Sequence, residues 1–176
     1  DAIGATRAVI ALEDNKPDAA AALRGAAASG IEVLALPTRY PQGAEKQLIW
    51  AILRTEVPHG KLPAAAGALV HNVATAAAIA DAVEHGKPVT ERVVTVTGAV
   101  ARPGNYRVLI GTLISDLIET AGGLTGEVAR VIAGGPMTGQ ALGTLDVPVT
   151  KGTSGVVALR PEEAARTVDG DQPCIR

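Results

Sequence analysis

The sequence predicts an α/β chain in parts: an α/β layer over residues 1–90, a small strand-rich module over 91–144, and closing strands with a polar tail over 145–176. Three observations carry that reading. Two short apolar runs, Ala8–Leu12 and Ile31–Leu36, flank an alanine-rich stretch. Near Lys87–Arg92 the pattern changes from helical to alternating and β-branched. Phe is absent and Trp50, Tyr40 and Tyr106 are the only aromatics, so Ala, Val, Leu and Ile must fill the core of a chain that is 47% hydrophobic.

The first part reads as strand, helix, strand. Runs like Ala8–Leu12 and Ile31–Leu36 are buried on both faces, as in a parallel sheet. Pro17 suits a first helical turn, and Gly30 suits the position after a helix end. A strand–helix–strand of this length favours a parallel, right-handed crossover. In such sheets, polar residues just past a strand's carboxyl end, here Glu13, Asp14 and Asn15, sit where ligands bind. A second helix is predicted over about Gly43–Arg54, with Leu48, Ile49, Ile52 and Leu53 at helical spacing. Pro58 and "HGKLP" break it, and a third helix follows, capped by Asn72 and stopped at Gly86.

In "RVVTVTGAVARPGNYRVLIG" two strands are joined by a turn at Arg102–Asn105. "GTLISDLIETAGGL" is an amphipathic helix with Leu113, Ile114, Leu117 and Ile118 inward and Asp116 and Glu119 outward. "ARVIAGGPMTGQAL" is a strand entering a glycine-rich turn, and "VPVTKGTSGVVALRP" supplies two more short strands. Strand, strand, helix, strand over some fifty residues is the order of a β-grasp module.

The 176 residues carry a net charge of −2, which gives no electrostatic reason to expect a nucleic-acid partner. Leu62–Ile79, the longest uncharged run, is interrupted by Pro63, Gly67, His71 and Asn72 and makes a poor membrane span. The single cysteine, Cys174, excludes a disulfide within the chain. His59, His71 and His85 lack carboxylate or cysteine partners at metal-ligand spacing, which argues against zinc. Ser154 in "GTSG" lacks the strand–nucleophile–helix context of a hydrolase elbow.

The stretch "RYPQGAEKQL", Arg39–Leu48, admits two readings. One is an ordinary helix start, where Glu45 is favoured by the dipole. The other is a backbone cradle, in which Gly43 permits close approach, helix-start N–H groups favour an anion, Glu45 accepts from ligand donors and Lys46 offers charge. Likewise Asn72 and Thr75 are a cap and a first-turn residue, or donors to a ligand on that helix end. Glu13 belongs to a cluster that usually serves capping.

"EDNKPDAAAAL", "YPQGAEKQLIWAI", "GKLPAAAGALVHNVATAAAIADAV", "GKPVTERVVTVTGAVARPGNYRVLIGT", "AGGPMTGQAL" and "VPVTKGTSGVVAL" occur in that order. As a series they resemble RnfC, the NADH- and flavin-binding iron–sulfur subunit family of Rnf ion-translocating electron transport complexes. That family is similar to the FMN- and NADH-binding subunit of respiratory complex I, and "GAEKQL" and "GGPMTG" look like the former. The resemblance implies a partial nucleotide/FMN-binding α/β domain with an inserted β-grasp (soluble-ligand-binding) module. It implies electron transfer between NAD(H) and [4Fe–4S] clusters through FMN, other Rnf subunits as partners, and a peripheral place on the cytoplasmic face of the bacterial inner membrane without a transmembrane segment of its own.

On this resemblance Tyr40, Gly43 and Glu45 match a motif beside FMN and NADH, Asn72 and Thr75 match one along the flavin, and Glu13 approaches the nucleotide. Ala44 departs from the pattern, and Lys46 has no counterpart in the complex I motif. Cys174 in "CIR" resembles the opening of a ferredoxin motif, as the first thiolate of a cluster, and one cysteine cannot hold a cluster. The family's glycine-rich FMN loop is expected upstream of Asp1. The chain as it stands is therefore expected to bind no [4Fe–4S] cluster and little or no FMN, and its alternative role is a non-enzymatic docking or small-ligand module.

Overall fold

A computed structural model describes residues 4–164. The chain divides into two compact units between Thr75 and Ala76.

In the first unit β1 (Ala8–Glu13) pairs in parallel with β2 (Ile31–Leu36), in register from Ala8 opposite Ile31 to Glu13 opposite Leu36. Five of the six β1 residues are half-buried with no alternation, as expected of a strand covered on both faces. The crossover helix α1 (Pro17–Ala26) starts with Pro17, whose missing N–H costs nothing in the first turn, and carries Asp18 near its positive end and Arg24 near its negative end. It stops four residues before Gly30. Ala27 is already extended, and Gly30, at φ +94°, belongs to the turn into β2. α2 (Glu45–Leu53) is shorter than the predicted 43–54 span and closes on Arg54 in the left-handed region at φ 56°. A 3-10 turn at Pro63–Ala66 leads to α3 (Val73–His85), which starts in this unit and runs past its boundary at Thr75. The Asn72 Oδ1 accepts the Ala74 N–H at 2.9 Å, the cap the sequence predicts, and Gly86 at φ +63° ends the helix. Full burial among the described residues of this unit is reached only by Ala20, Ile49 and Pro63.

The second unit is built on a five-stranded sheet in the order β4-β3-β7-β5-β6. β3 (Glu91–Gly98) and β4 (Gly104–Leu109) form the predicted hairpin, and the Tyr106 hydroxyl donates to the Arg102 carbonyl at 2.6 Å across its turn. After α4 (Ile114–Thr120), β5 (Arg130–Ala133) folds back through the glycine-rich loop onto the two-residue β6 (Gln140–Ala141). The sheet extends past residue 144. Of the two strands predicted in 147–161, one forms, β7 (Gly155–Leu159), and the other is reduced to a single bridge between Leu113 and Pro148. β7 lies at the centre, parallel to β3 and antiparallel to β5. A parallel central pair with an antiparallel strand beyond each member is the β-grasp arrangement, and β7 is required for it.

The core follows the strand periodicity. Val94 and Val96 on β3 and Val156 and Ala158 on β7 are fully buried, and α4 sets Ile114, Leu117 and Ile118 into the same cluster. Burying each such Val, Leu or Ile side chain contributes about 1.5–3 kcal/mol, and the half-buried Tyr106 packs against the same cluster. Gly98, at φ +85°, lies so close to β7 that a Cβ there would overlap the Ala158 carbonyl oxygen. The Ala99 N–H donates to that oxygen at 2.8 Å. None of the described helices is long and apolar enough to cross a membrane. Cys174 lies outside the described residues.

Candidate functional site

The parallel pairing of β1 and β2 brings their carboxyl ends side by side, and the chain leaves them in different directions, into α1 and toward α2. A cleft of about 420 Å3 opens there, within the first unit. That size falls within the few hundred to a thousand Å3 of small-molecule sites. Leu12, Leu36, Leu48 and Val70 give it an apolar wall. Glu13, Gln42, Glu45, His71 and Asn72 supply its polar groups, and Gly43 its backbone edge.

Each polar group has a local reason for its place. Glu13 is the last residue of β1, and the Lys16 ammonium donates to its Oε2 at 2.9 Å and to the Asn15 Oδ1 at 3.0 Å. Glu45 opens α2, where a carboxylate is favoured by the positive helix end. Between them the loop is tied by its own backbone, Gln42 N–H to the Arg39 carbonyl at 2.6 Å and Ala44 N–H to the Pro41 carbonyl at 2.8 Å. Asn72 caps α3, and the Thr75 N–H donates to its carbonyl at 2.9 Å.

Gly43 is notable for what does not require it. Its φ lies outside the left-handed region, and a Cβ built on it would meet no described atom within 4 Å. Neither backbone conformation nor packing among the described residues calls for glycine, which leaves open space against the backbone at the mouth of the cleft.

Behind the polar edge, the Asp14 carboxylate accepts from the Thr38 hydroxyl at 2.7 Å and the Thr38 N–H at 3.0 Å. These bonds, the hydroxyl's first, hold the Asp14 carboxyl below the usual carboxylate range.

Of the residues singled out in the sequence, the structure brings Glu13, Gly43, Glu45 and Asn72 together along this cleft. Tyr40 is 77% exposed in the turn before α2, joined to Pro41 by a cis peptide bond, and is outside the lining. Lys46 and Thr75 are also exposed and outside it. Gln42 and His71 line the cleft without having been singled out. Each is adjacent to a residue that was, Gly43 and Asn72, and adjacency across the mouth of a turn or cap was the available signal. Among the described residues no three His, Cys, Asp or Glu side chains are grouped to hold a metal ion.

The arrangement suits a particular chemistry. Two carboxylates and two side-chain amides accept from and donate to hydroxyl groups, while the aliphatic wall takes a ring or other apolar body. No Lys or Arg lines the cleft, so a phosphate there would depend on backbone N–H groups at the start of α2.

Comparison with known proteins places this geometry in context. A family model described as the Nuo51 FMN-binding domain matches residues 1–81, and one described as the SLBB domain matches residues 93–141. The chain is 46% identical over 173 residues to the RnfC protein of the proton-translocating ferredoxin:NAD(+) oxidoreductase complex of Clostridium ljungdahlii, covering 97% of this chain and 37% of that protein. It is 47% identical over 165 residues to the corresponding protein of the Na(+)-translocating ferredoxin:NAD(+) oxidoreductase complex of Acetobacterium woodii, covering 92% and 37%. It is 45% identical over 175 residues to that of the ion-translocating oxidoreductase complex of Erwinia tasmaniensis, covering 98% and 22%. The chain thus spans between about a fifth and two fifths of these relatives' lengths. Among solved structures, a chain of an NAD+-reducing [NiFe]-hydrogenase in the air-oxidized state superposes with a TM-score of 0.69 at 26% identity, covering 92% of this chain and 34% of the other.

Proposed function

This chain belongs to the RnfC family of ion-translocating oxidoreductase complexes, and from that premise we propose that its first unit forms part of a site for a nicotinamide nucleotide and FMN. The observation that carries the proposal is the cleft at the carboxyl ends of β1 and β2, where Glu13, Gly43, Glu45 and Asn72 converge. The donor set fits the sugar and ring portions of such ligands. The Glu45 and Glu13 carboxylates accept from ribose or ribitol hydroxyls, the Gln42 and Asn72 amides donate to ring carbonyls, and the Leu12–Leu36–Leu48 wall keeps water from one side of a ring. The open space at Gly43 admits a flat ring against the backbone. Tyr40 and Lys46, exposed at the rim, are the remaining ligand-facing candidates from the α2 turn, and Thr75 follows Asn72 at the start of α3. FMN, when bound, supplies the conversion of a two-electron donor into single-electron steps.

In the complete natural polypeptide the reading extends to electron transfer between NAD(H) and [4Fe–4S] clusters, coupled to ion translocation by partner subunits of a membrane complex. Cys174 would supply the first thiolate of one cluster, and the protein would lie peripherally on the cytoplasmic face of the membrane. Within the present chain no cluster is expected, and FMN binding is expected to be weak or nil. A second reading assigns the β-grasp unit to docking or small-ligand binding, since it contributes none of the cleft's lining. Titrating the complete polypeptide with NADH tests the first reading. It is expected to carry a flavin absorbance band that NADH bleaches, and Glu45→Gln is expected to weaken NADH binding. A colourless, unresponsive protein refutes it. For this chain alone, calorimetric silence with FMN fits both readings, so NADH discriminates: heat on adding NADH favours the first and its absence the docking role.

A further inference from the structure

Asp14 touches none of the cleft's volume, yet it joins both sides of it. Its backbone N–H donates to the Leu36 carbonyl at 2.9 Å, and its Oδ1 accepts the backbone N–H and hydroxyl of Thr38. Three bonds therefore lock the residue following β1, one to Leu36 at the end of β2 and two to Thr38 just beyond it. Glu13 precedes Asp14 directly, and the segment leaving Thr38 carries Gln42, Gly43 and Glu45 to the opposite side. From Thr38 to the start of α2 the described backbone bonds of this loop are local to it, Gln42 to Arg39 and Ala44 to Pro41. The Asp14–Thr38 pair thus ties the loop to the strand that bears Glu13.

We propose that Asp14 is a positioning residue for the nucleotide cleft, setting the separation of Glu13 from Gln42–Glu45 through its bonds to Thr38. The proposal rests on the reading of the cleft as a nucleotide site. An exposed hydrogen bond adds modestly to stability, because water replaces it at small cost. The same bond matters more to binding, because a loop free to take several arrangements must be ordered by the ligand.

The test uses the complete natural polypeptide with NADH and an artificial one-electron acceptor. Asp14→Ala removes both side-chain bonds, and Asp14→Asn keeps an acceptor oxygen while losing the charge. Thr38→Val removes the hydroxyl and leaves the N–H, and Thr38→Ser restores the hydroxyl. For Asp14→Ala the KM for NADH is expected to rise by about three- to tenfold, the range for losing a typical, solvent-exposed hydrogen bond, with kcat changed less than twofold. Asp14→Asn and Thr38→Val are expected to raise KM less, and Thr38→Ser to restore the wild-type value. Should Asp14→Ala fail to fold, Asp14→Asn and the Thr38 pair carry the same comparison. A KM unchanged within twofold in folded Asp14→Ala, or equal losses in kcat and thermal stability with KM constant, overturns the positioning role while leaving the nucleotide reading intact. A wild-type protein that does not bind NADH overturns both.

Discussion

Replacing Gly98 with alanine tests the closure of the β-grasp sheet. Two costs arise from the structure and they are separable. At φ +85° an L-side chain is strained by roughly 1–2 kcal/mol. The new Cβ would also overlap the Ala158 carbonyl oxygen and lie 2.9 Å from its carbon. Those atoms are backbone in the central strand, so no rotamer change relieves the overlap. The strands must separate, and the Ala99 N–H bond to that oxygen is lost for about a further 1 kcal/mol. The sum is about 2–3 kcal/mol, which for a unit of this size lowers Tm by roughly 8–24 °C. Gly123→Ala is the control. It has the same φ of +85°, but its Cβ meets nothing within 4 Å, so strain alone acts and Tm should fall by roughly 4–16 °C. The assay is thermal unfolding followed by far-UV circular dichroism on both variants in parallel. Equal shifts for the two, or a Gly98→Ala shift under about 4 °C, the smallest per kcal/mol, would refute the close parallel approach of β3 and β7.

Truncating Leu117, 1% exposed in the α4 face of the core, to alanine is expected to cost roughly 3–5 kcal/mol, read as a fall in denaturation midpoint. Asn72→Ala removes the oxygen that accepts the Ala74 N–H and is expected to cost about 1 kcal/mol, measurable in urea titration. Asp14, Glu32 and Glu91 all have carboxyl pKa values lowered in the fold, by the Thr38 hydroxyl, the Arg7 guanidinium and the Lys87 ammonium respectively. Their folded-state values lie below the unfolded ones, so their contribution is complete above the ordinary carboxylate range and lost as pH falls through the folded values. Tm is therefore expected to be level above about pH 5, to decline below about pH 4, and to decline less steeply in the triple Asp14→Asn, Glu32→Gln, Glu91→Gln variant.

How much of this was legible depended on whether the information was local. β1 was readable because a strand covered on both faces leaves an unbroken apolar run, and the Asn72 cap because a cap is decided within three residues. β2 forms where its apolar residues lie, but Ile31, Glu32 and Ala35 are exposed, so the burial expected of it is only partial. The end of α1 was misplaced because Ala27, Ala28 and Ser29 offer no stop signal and Gly30 does, although Gly30 serves the following turn. The central place of β7 was invisible for a different reason. Val156 and Ala158 look like any short apolar strand, and their neighbours on β3 lie far away in sequence. At the cleft, the types at Glu13, Gly43, Glu45 and Asn72 stood out. The pairing of Asp14 with Thr38 did not, since nothing in either residue announces a partner 24 positions away.

The order of the strands also bears on how the chain is made. β7 sits between β3 and β5 but is synthesised after both. About sixty residues separate Gly98 from Gly155, several seconds of elongation at roughly 5–20 residues per second. During that interval β3 has only β4 beside it, its inner edge unpaired, and β5 can pair only with the two-residue β6. In the native pairing, the strands made before β7 leave one edge of β3 and one of β5 open, and the last strand joins them by insertion. Slowing translation between these codons would prolong the open-edged species and raise the yield of aggregate, whereas slowing it after residue 159 would favour the native sheet.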